Sequence, residues 1–311
     1  MESALGMSSL MPTLRQRITS SVTRRYPFLS GCGTFANSRL VGLLAGDRHG
    51  LAWSRLKSGA EILVPLDDYI GRAAYFVGDL DRKISEVIKR IVRPGDRVLD
   101  IGANLGLITL TMAKLVGQNG RVDSFEPNPS IHGLLSRSIE RNNLKNIRLH
   151  TCALGVEDGG TLTLTFPGHN AGMGTLSRTH SDEGWSGVQV PVRTLSSLAA
   201  EFDFGGVRLM KIDVEGFEME VLRGALPWLS ASPPEAIVFE SNETRNEGES
   251  DPVLSLLAER GYAFYSIPKE LYSLRLAPYR LGDDRVAASH DMLALRKDGE
   301  REIVSRFTVR A

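Results

Sequence analysis

Val98-Leu99-Asp100-Ile101-Gly102-Ala103-Asn104-Leu105-Gly106 decides how this 311-residue chain is read. An apolar run ends in an acid, breaks into small residues, and gives way to a helical pattern from Leu107. A buried strand turning tightly into a helix beside a ligand has this form. Gly102 and Gly106 allow torsions and close approaches that a side chain would block. The helix that follows points its free N–H groups back at the turn.

Outward from this turn, strand and helix patterns alternate, which predicts a parallel sheet. Strands are expected at Arg97–Ile101, Gly120–Phe125, Asn146–Cys152, Val207–Ile212 and Glu235–Glu240, and helices at Leu107–Val116 and Ser130–Asn142. Another helix is expected to begin at Phe217–Leu222. Gly160–Phe166 and Gly187–Val192 alternate apolar and polar residues and predict an antiparallel pair. The glycine-rich connection between them, Pro167 to Trp185, is long enough to be functional or disordered. Toward the C-terminus come a helix at Pro252–Arg260 and strands near Tyr262–Ile267 and Asp291–Leu295. Upstream, the spacing predicts helices at Leu14–Val22 and Ile84–Val92 and a short strand ended by proline around Ala60–Leu66. The expected division is an N-terminal accessory or cap segment over 1–90 and a larger α/β domain over 91–311.

Lys plus Arg (37) balances Asp plus Glu (37), so no basic footprint for nucleic acid exists. A hydrophobic share of 42% and a charged share of 24% are those of a globular protein. Cys32 and Cys152, far apart, make neither a zinc ligand set nor a disulfide framework, which favours a reducing, cytoplasmic setting. No apolar run approaches the roughly 18 residues of a membrane span. The first 30 residues set several arginines against one acid, Glu2, a composition read as a mobile basic end rather than a targeting peptide.

Two ligand classes use such a turn. A dinucleotide site wants Gly-x-Gly-x-x-Gly, so that a pyrophosphate reaches the helix N-terminus. Here Asn104 stands where a pyrophosphate needs no side chain, the third glycine is missing, and Asp100 adds negative charge. S-adenosylmethionine carries no phosphate; its ammonium attracts an acid and its sulfonium tolerates carboxylates. At the end of the second strand, Glu126 can accept both ribose hydroxyls of either cofactor.

Val98–Gly106, Phe125-Glu126-Pro127-Asn128 and Lys211-Ile212-Asp213-Val214-Glu215-Gly216-Phe217-Glu218 together resemble the FkbM family of S-adenosylmethionine-dependent methyltransferases. Ala153-Leu154-Gly155, Arg72–Gly78 and Asn170–Leu176 add to the likeness, which spans roughly residues 65–296. The resemblance implies a Rossmann-like, seven-stranded class I methyltransferase sheet, mostly parallel, with its last strand inserted antiparallel. It also implies methyl transfer to a hydroxyl of a sugar, glycan or secondary metabolite. The expected cofactor set is Asp100, Gly102, Asn104, Gly106, Glu126, Pro127, Asn128, Ala153 and Asp213.

An alcohol acceptor needs a general base, or a metal that lowers its pKa. Asp213, at the end of the fourth strand, is the first candidate; it faces either the methionine end of the cofactor or the acceptor proton. Glu215 is a second, with helix N-terminal charge as its structural alternative. Glu240 either orients the acceptor, holds a metal with Asp213, or caps its strand. Of the histidines, His132 and His150 read as structural, His169 as a weaker base in the long loop, and His290, ahead of the last strand, as a further residue to face the pocket. Tyr69, Tyr75 and Phe76 either cover the ligand or, the favoured reading, pack the accessory segment. That segment is expected to act as a cap or homodimer contact. The alternatives are an NAD-binding oxidoreductase and a non-catalytic scaffold with the same fold.

Overall fold

The computed structural model describes residues 12–46, 49–167, 185–241, 251–281 and 290–307. The N-terminal part runs α1 (Leu14–Thr23), α2 (Cys32–Ala36), α3 (Arg39–Ala45), a hairpin of β1 (Leu51–Arg55) and β2 (Glu61–Pro65), α4 (Tyr69–Phe76) and α5 (Arg82–Ile91). Strand and helix then alternate through β3 (Arg97–Ile101), α6 (Leu107–Val116), β4 (Arg121–Phe125), α7 (Pro129–Arg141) and β5 (Ile147–His150). Next come β6 (Ala153–Leu154), β7 (Thr161–Pro167), β8 (Trp185–Arg193), α8 (Leu195–Phe202) and β9 (Val207–Ile212). After these follow α9 (Glu218–Gly224), α10 (Leu226–Ala231), β10 (Ala236–Glu240) and α11 (Pro252–Ala258). β11 (Tyr262–Ser266), β12 (Ala277–Tyr279), β13 (Asp291–Arg296) and α12 (Glu300–Ser305) complete the described chain.

The main sheet has the order β12-β11-β13-β10-β9-β3-β4-β5. β5, β4, β3, β9 and β10 are parallel, and β13 runs antiparallel between β10 and β11. This is the mostly parallel sheet with an antiparallel strand near its end that the resemblance implies. An eighth strand, β12, departs from the seven expected. It is three residues long and contains Pro278, which an edge position tolerates because its missing N–H is not needed there.

The expected third strand is shorter than Asn146–Cys152, since β5 ends at His150. Beyond it, Ala153 and Leu154 pair with Val192 and Arg193 in a small sheet of order β6-β8-β7. The expected antiparallel pair is β7 with β8.

All six residues of β9 are buried, as a strand covered on both faces requires. One face packs Leu99, Ile101, Met210 and Ile212 with Leu222, Ile237 and Leu254. On the other, Val98 and Leu209 pack with Val87, Ile88 and Ile91 of α5 and Met112 of α6. The N-terminal segment is not a separate body: Ala52, Ile62, Ala73 and Phe76 share a third cluster with Leu105, Leu110 and Ile131. Among the described residues no helix is long and apolar enough to cross a membrane.

β3 and β9 lie side by side, and the chain leads from them to opposite edges of the sheet. Ligands in open α/β sheets bind beyond the strand C-termini at this kind of switch point.

Candidate active site

Backbone hydrogen bonds lock the strand ends around the opening turn. The N–H groups of Gly102 and Ala103 donate to the Phe125 carbonyl at 3.1 and 2.9 Å, and the Asp213 N–H donates to the Ile101 carbonyl at 3.1 Å. Gly102 has φ +76°, and a Cβ there would lie 1.8 Å from the Asp213 carbonyl oxygen. Gly106, at φ +93°, is a different case: a Cβ would meet Leu135 Cδ1 of α7 at 2.2 Å. Its small size therefore serves helix packing.

Asn104 holds φ +52°, a conformation asparagine adopts more readily than most residues. Its N–H donates to Glu126 Oε2 at 2.8 Å, and the Asn128 N–H donates to Oε1 at 2.8 Å. Two backbone donors thus fix the Glu126 carboxylate plane at the end of β4. Burial nevertheless pushes this carboxyl up to about 7 against the pull of those donors. Asn128 also caps α7 by accepting from the Ser130 N–H, with Pro129 at the first helical turn.

Asp100 is fully buried. Thr109 Oγ1 donates to its Oδ2 at 2.5 Å, and Lys211 Nζ lies 3.6 Å from its Oδ1. The register explains the pair, since Asp100 and Lys211 are direct partners across β3 and β9. Lys211 Nζ also reaches Asp213 Oδ2 at 3.2 Å and donates to the Gly102 carbonyl at 3.3 Å. Burial pulls the ammonium down, but Asp213 and Asp100 outweigh it and hold Lys211 above the usual lysine range. The two-residue spacing of Lys211 and Asp213 does place both on one side of the strand end.

A cavity of about 540 Å³ opens here, walled by Gly102, Asn104, Glu126, Lys211, Asp213 and Glu240 among others. Seven carboxyls stand on its wall against two lysines, Lys211 and Lys269. Glu240, at the end of β10, is pushed to about 7 by burial and then by Asp213, Asp291, Glu215 and Glu218. Glu215 sits on the wall at φ +52°. The neighbouring Glu218 turns back, and its Oε1 accepts from the Val214 and Gly216 N–H groups at 3.3 and 3.2 Å. Glu218 therefore shapes the turn that presents Asp213 and Glu215. Among the described residues no group of three or more His, Cys, Asp or Glu side chains is arranged to hold a metal ion.

The N-terminal segment completes the wall through Ser30–Thr34, Tyr69 and Ile70, and Asp79–Asp81. It is tied across the site: Ser30 Oγ donates to the Glu270 carbonyl at 3.0 Å, and the buried Lys83 ammonium pairs with Asp291 and, at 3.7 Å, with Asp81. Asp79, Asp81, Lys83 and Asp291 had no role in the sequence reading. The run Asp79–Lys83 is a charge cluster at a helix start, but its partner in β13 is remote in sequence.

Of the expected cofactor set, Gly102, Asn104, Glu126, Pro127, Asn128 and Asp213 come together on the wall. Asp100, Gly106 and Ala153 do not. Asp100 lies beneath the wall against Lys211, Gly106 packs on α7, and Ala153 packs with Leu164, Val190 and Val192 in the small sheet. His169 and nearly all of the Pro167–Trp185 connection fall outside the described residues. His290 is not on the wall; its Nδ1 lies 3.3 Å from the Ser241 carbonyl. His150 is structural, stacked on Phe125 at 4.5 Å and 2.9 Å from Asp123 Oδ1. Tyr75 and Phe76 are packed in the core, whereas Tyr69 is on the wall.

A protein-family model described as the methyltransferase FkbM domain matches residues 100–264. Methyltransferase 1 of Beauveria bassiana (strain ARSEF 2860) is 33% identical over 144 residues, 41% of this chain and 57% of that protein. The 31-O-demethyl-FK506 methyltransferase FkbM of Streptomyces tacrolimicus is 30% identical over 159 residues, 43% of this chain and 60% of that one. The chain thus spans less than two thirds of these relatives' length. A crystal structure of methyltransferase FkbM from Methylobacillus flagellatus KT is 16% identical and covers 73% of this chain and 53% of its own, at a TM-score of 0.40. With the family model matching more than half of its length, the chain belongs to the FkbM methyltransferase domain family.

Proposed function

We propose that the protein is an S-adenosylmethionine-dependent O-methyltransferase acting on a hydroxyl of a sugar, glycan or other small metabolite. One observation carries the cofactor reading: a wall of seven carboxyls against two lysines, with Glu126 held by the Asn104 and Asn128 amides. Such a wall attracts an ammonium and a sulfonium and repels a pyrophosphate. An oxygen acceptor is supported by family membership and by the name of the Streptomyces relative, a 31-O-demethyl-FK506 methyltransferase.

When bound, S-adenosylmethionine supplies a methyl group already activated for displacement. The residues of the chain bind, orient and deprotonate. Glu126 accepts the ribose hydroxyls on the lone pairs its two amide donors leave free. Asp213, with a side chain 44% exposed and anchored by Lys211, faces the cationic end of the cofactor. Glu240 takes the acceptor proton on a carboxylate oxygen; a base poised near the working pH serves this best. Alignment of acceptor and donor in the cavity is worth up to about 7–11 kcal/mol.

Calorimetry on Glu126→Ala should show S-adenosylhomocysteine binding about 1–3 kcal/mol weaker, from lost hydrogen bonds to a charged group. Unchanged affinity, or wild-type binding of NAD without S-adenosylhomocysteine, would reject the cofactor reading.

Glu240→Gln should lower kcat about 100-fold with labelled methyl donor on a panel of hydroxylated metabolites and glycans. The wild-type kcat/KM should fall below a pH of about 7, where Glu240 gains its proton, and the variant should lose that limb. The folded carboxyl binds its proton more tightly than the unfolded one, so it lowers stability progressively as pH rises from about 4.5 to about 7. Glu240→Gln should therefore unfold like the wild type at pH 4. At pH 8 it should be about 1 kcal/mol more stable, after allowance for solvent screening. A variant with full kcat would remove Glu240 from the chemistry.

A further inference from the structure

α1 and α3 pack on each other at the N-terminal end and present an apolar face without a partner among the described residues. Leu14, Ile18 and Val22 recur every four residues on α1 and are 70%, 57% and 62% exposed. On α3, Leu40, Leu43 and Leu44 are 61%, 74% and 50% exposed. The opposite side of α1 holds the helix to the protein: Ser20 Oγ and Thr23 Oγ1 donate to the carbonyls of Tyr75 and Phe76 at 2.8 and 2.7 Å. Arg15 crosses to the Leu43 carbonyl at 3.0 Å, so the two helices form one platform.

Large apolar side chains exposed on adjacent helices mark an interaction site. The charge on the same stretch narrows the partner. Residues 12–46 contain five arginines (Arg15, Arg17, Arg24, Arg25 and Arg39) and no acid, within a chain whose net charge is zero. Arg24 is committed to Ser54 and Tyr75, while Arg15, Arg17, Arg25 and Arg39 are exposed. Apolar side chains with arginines around them are the pattern of a helix lying in the headgroup region of a bilayer. A self-complementary dimer through this face would set arginines against arginines with no acid from the stretch to meet them.

We infer that the α1–α3 face docks the protein on the surface of an anionic phospholipid bilayer. The apolar side chains enter the acyl boundary and the exposed arginines meet lipid phosphates. Docking of this kind needs no membrane-spanning helix and does not depend on methyl transfer.

Co-sedimentation of the full chain with vesicles tests the inference. Vesicles of phosphatidylcholine with about one third phosphatidylglycerol should retain the protein, and pure phosphatidylcholine should retain much less. Ile18→Ser with Leu40→Ser and Leu43→Ser should reduce retention at least tenfold, with the circular dichroism spectrum and melting temperature unchanged because these side chains are exposed. Arg17→Gln with Arg25→Gln should weaken it about 25-fold at low salt, roughly fivefold for each charge. No retention on anionic vesicles, or equal retention of the apolar variant, would overturn the inference. So would a dimer in sedimentation velocity that the apolar substitutions dissociate while vesicles capture nothing; the face would then belong to a second copy.

Discussion

Gly102→Ala is expected to destabilise the protein by about 3–5 kcal/mol, measured by urea unfolding. The new Cβ would fall 1.8 Å from the Asp213 carbonyl oxygen, and the residue would be held at φ +76°. The collision is backbone on backbone, so no side chain can swing away to relieve it. The turn and the end of β9 must separate, which strains the hydrogen bond from the Asp213 N–H to the Ile101 carbonyl. Gly95→Ala is the control: φ is +89° there, but nothing lies within 4 Å of the added carbon. It should lose only about 1–2 kcal/mol, the cost of a left-handed alanine. Equal losses in the two variants would show that torsion alone, without the close approach, governs the turn.

Lys211→Met should also remove about 3–5 kcal/mol, because it leaves the buried Asp100 carboxylate without its cation. The pH dependence separates charge from packing. Burial already holds the Asp100 carboxyl above its ordinary value, opposed chiefly by Lys211. Without Lys211 the folded state binds this proton still more tightly than the unfolded state. Stability of the variant should therefore fall, relative to wild type, as pH rises above the unfolded carboxylate value of about 3.9. Its deficit should be smallest near pH 4 and largest near pH 8 in urea unfolding. Asp100→Asn added to Lys211→Met should recover about half of the loss at pH 8. A deficit independent of pH would mean that the lysine acts through its packed alkyl chain.

The central strands were legible because each carries its own boundary signals. β3 and β9 fall where the sequence places them, each an apolar run ended at an acid or a turn. The N-terminal segment was harder. α2 follows Gly31, which offers no side-chain cap, and α3 is seven residues long, so neither shows a sustained period. β1 and α4 were missed as well.

At the site, Glu126 and Asp213 could be placed because a strand end is a local feature. The partnership of Asp100 with Lys211 could not, since it depends on the β3–β9 register between segments more than a hundred residues apart. Asp100 was consequently expected to meet the ligand, whereas it sits beneath the wall. The ion pair of Lys83 with Asp291 was hidden for the same reason.

The cavity wall has two origins in the chain. Gly102, Asn104, Glu126, Asp213 and Glu240 lie inside the stretch shared with the FkbM domain. Ser30–Thr34, Tyr69, Asp79–Asp81, Lys269 and Asp291 lie outside it. Within the first set, Gly102, Asn104, Glu126 and Asp213 are held by strand-end hydrogen bonds of their own, whereas Glu240 faces Asp291 of the second set directly across β10 and β13. The stretch matched by the FkbM model thus builds one side of the enclosure, and segments on both flanks of it build the other. A match over residues 100–264 therefore leaves part of the enclosure undescribed, because Ser30–Thr34, Tyr69, Asp79–Asp81, Lys269 and Asp291 are supplied from outside it.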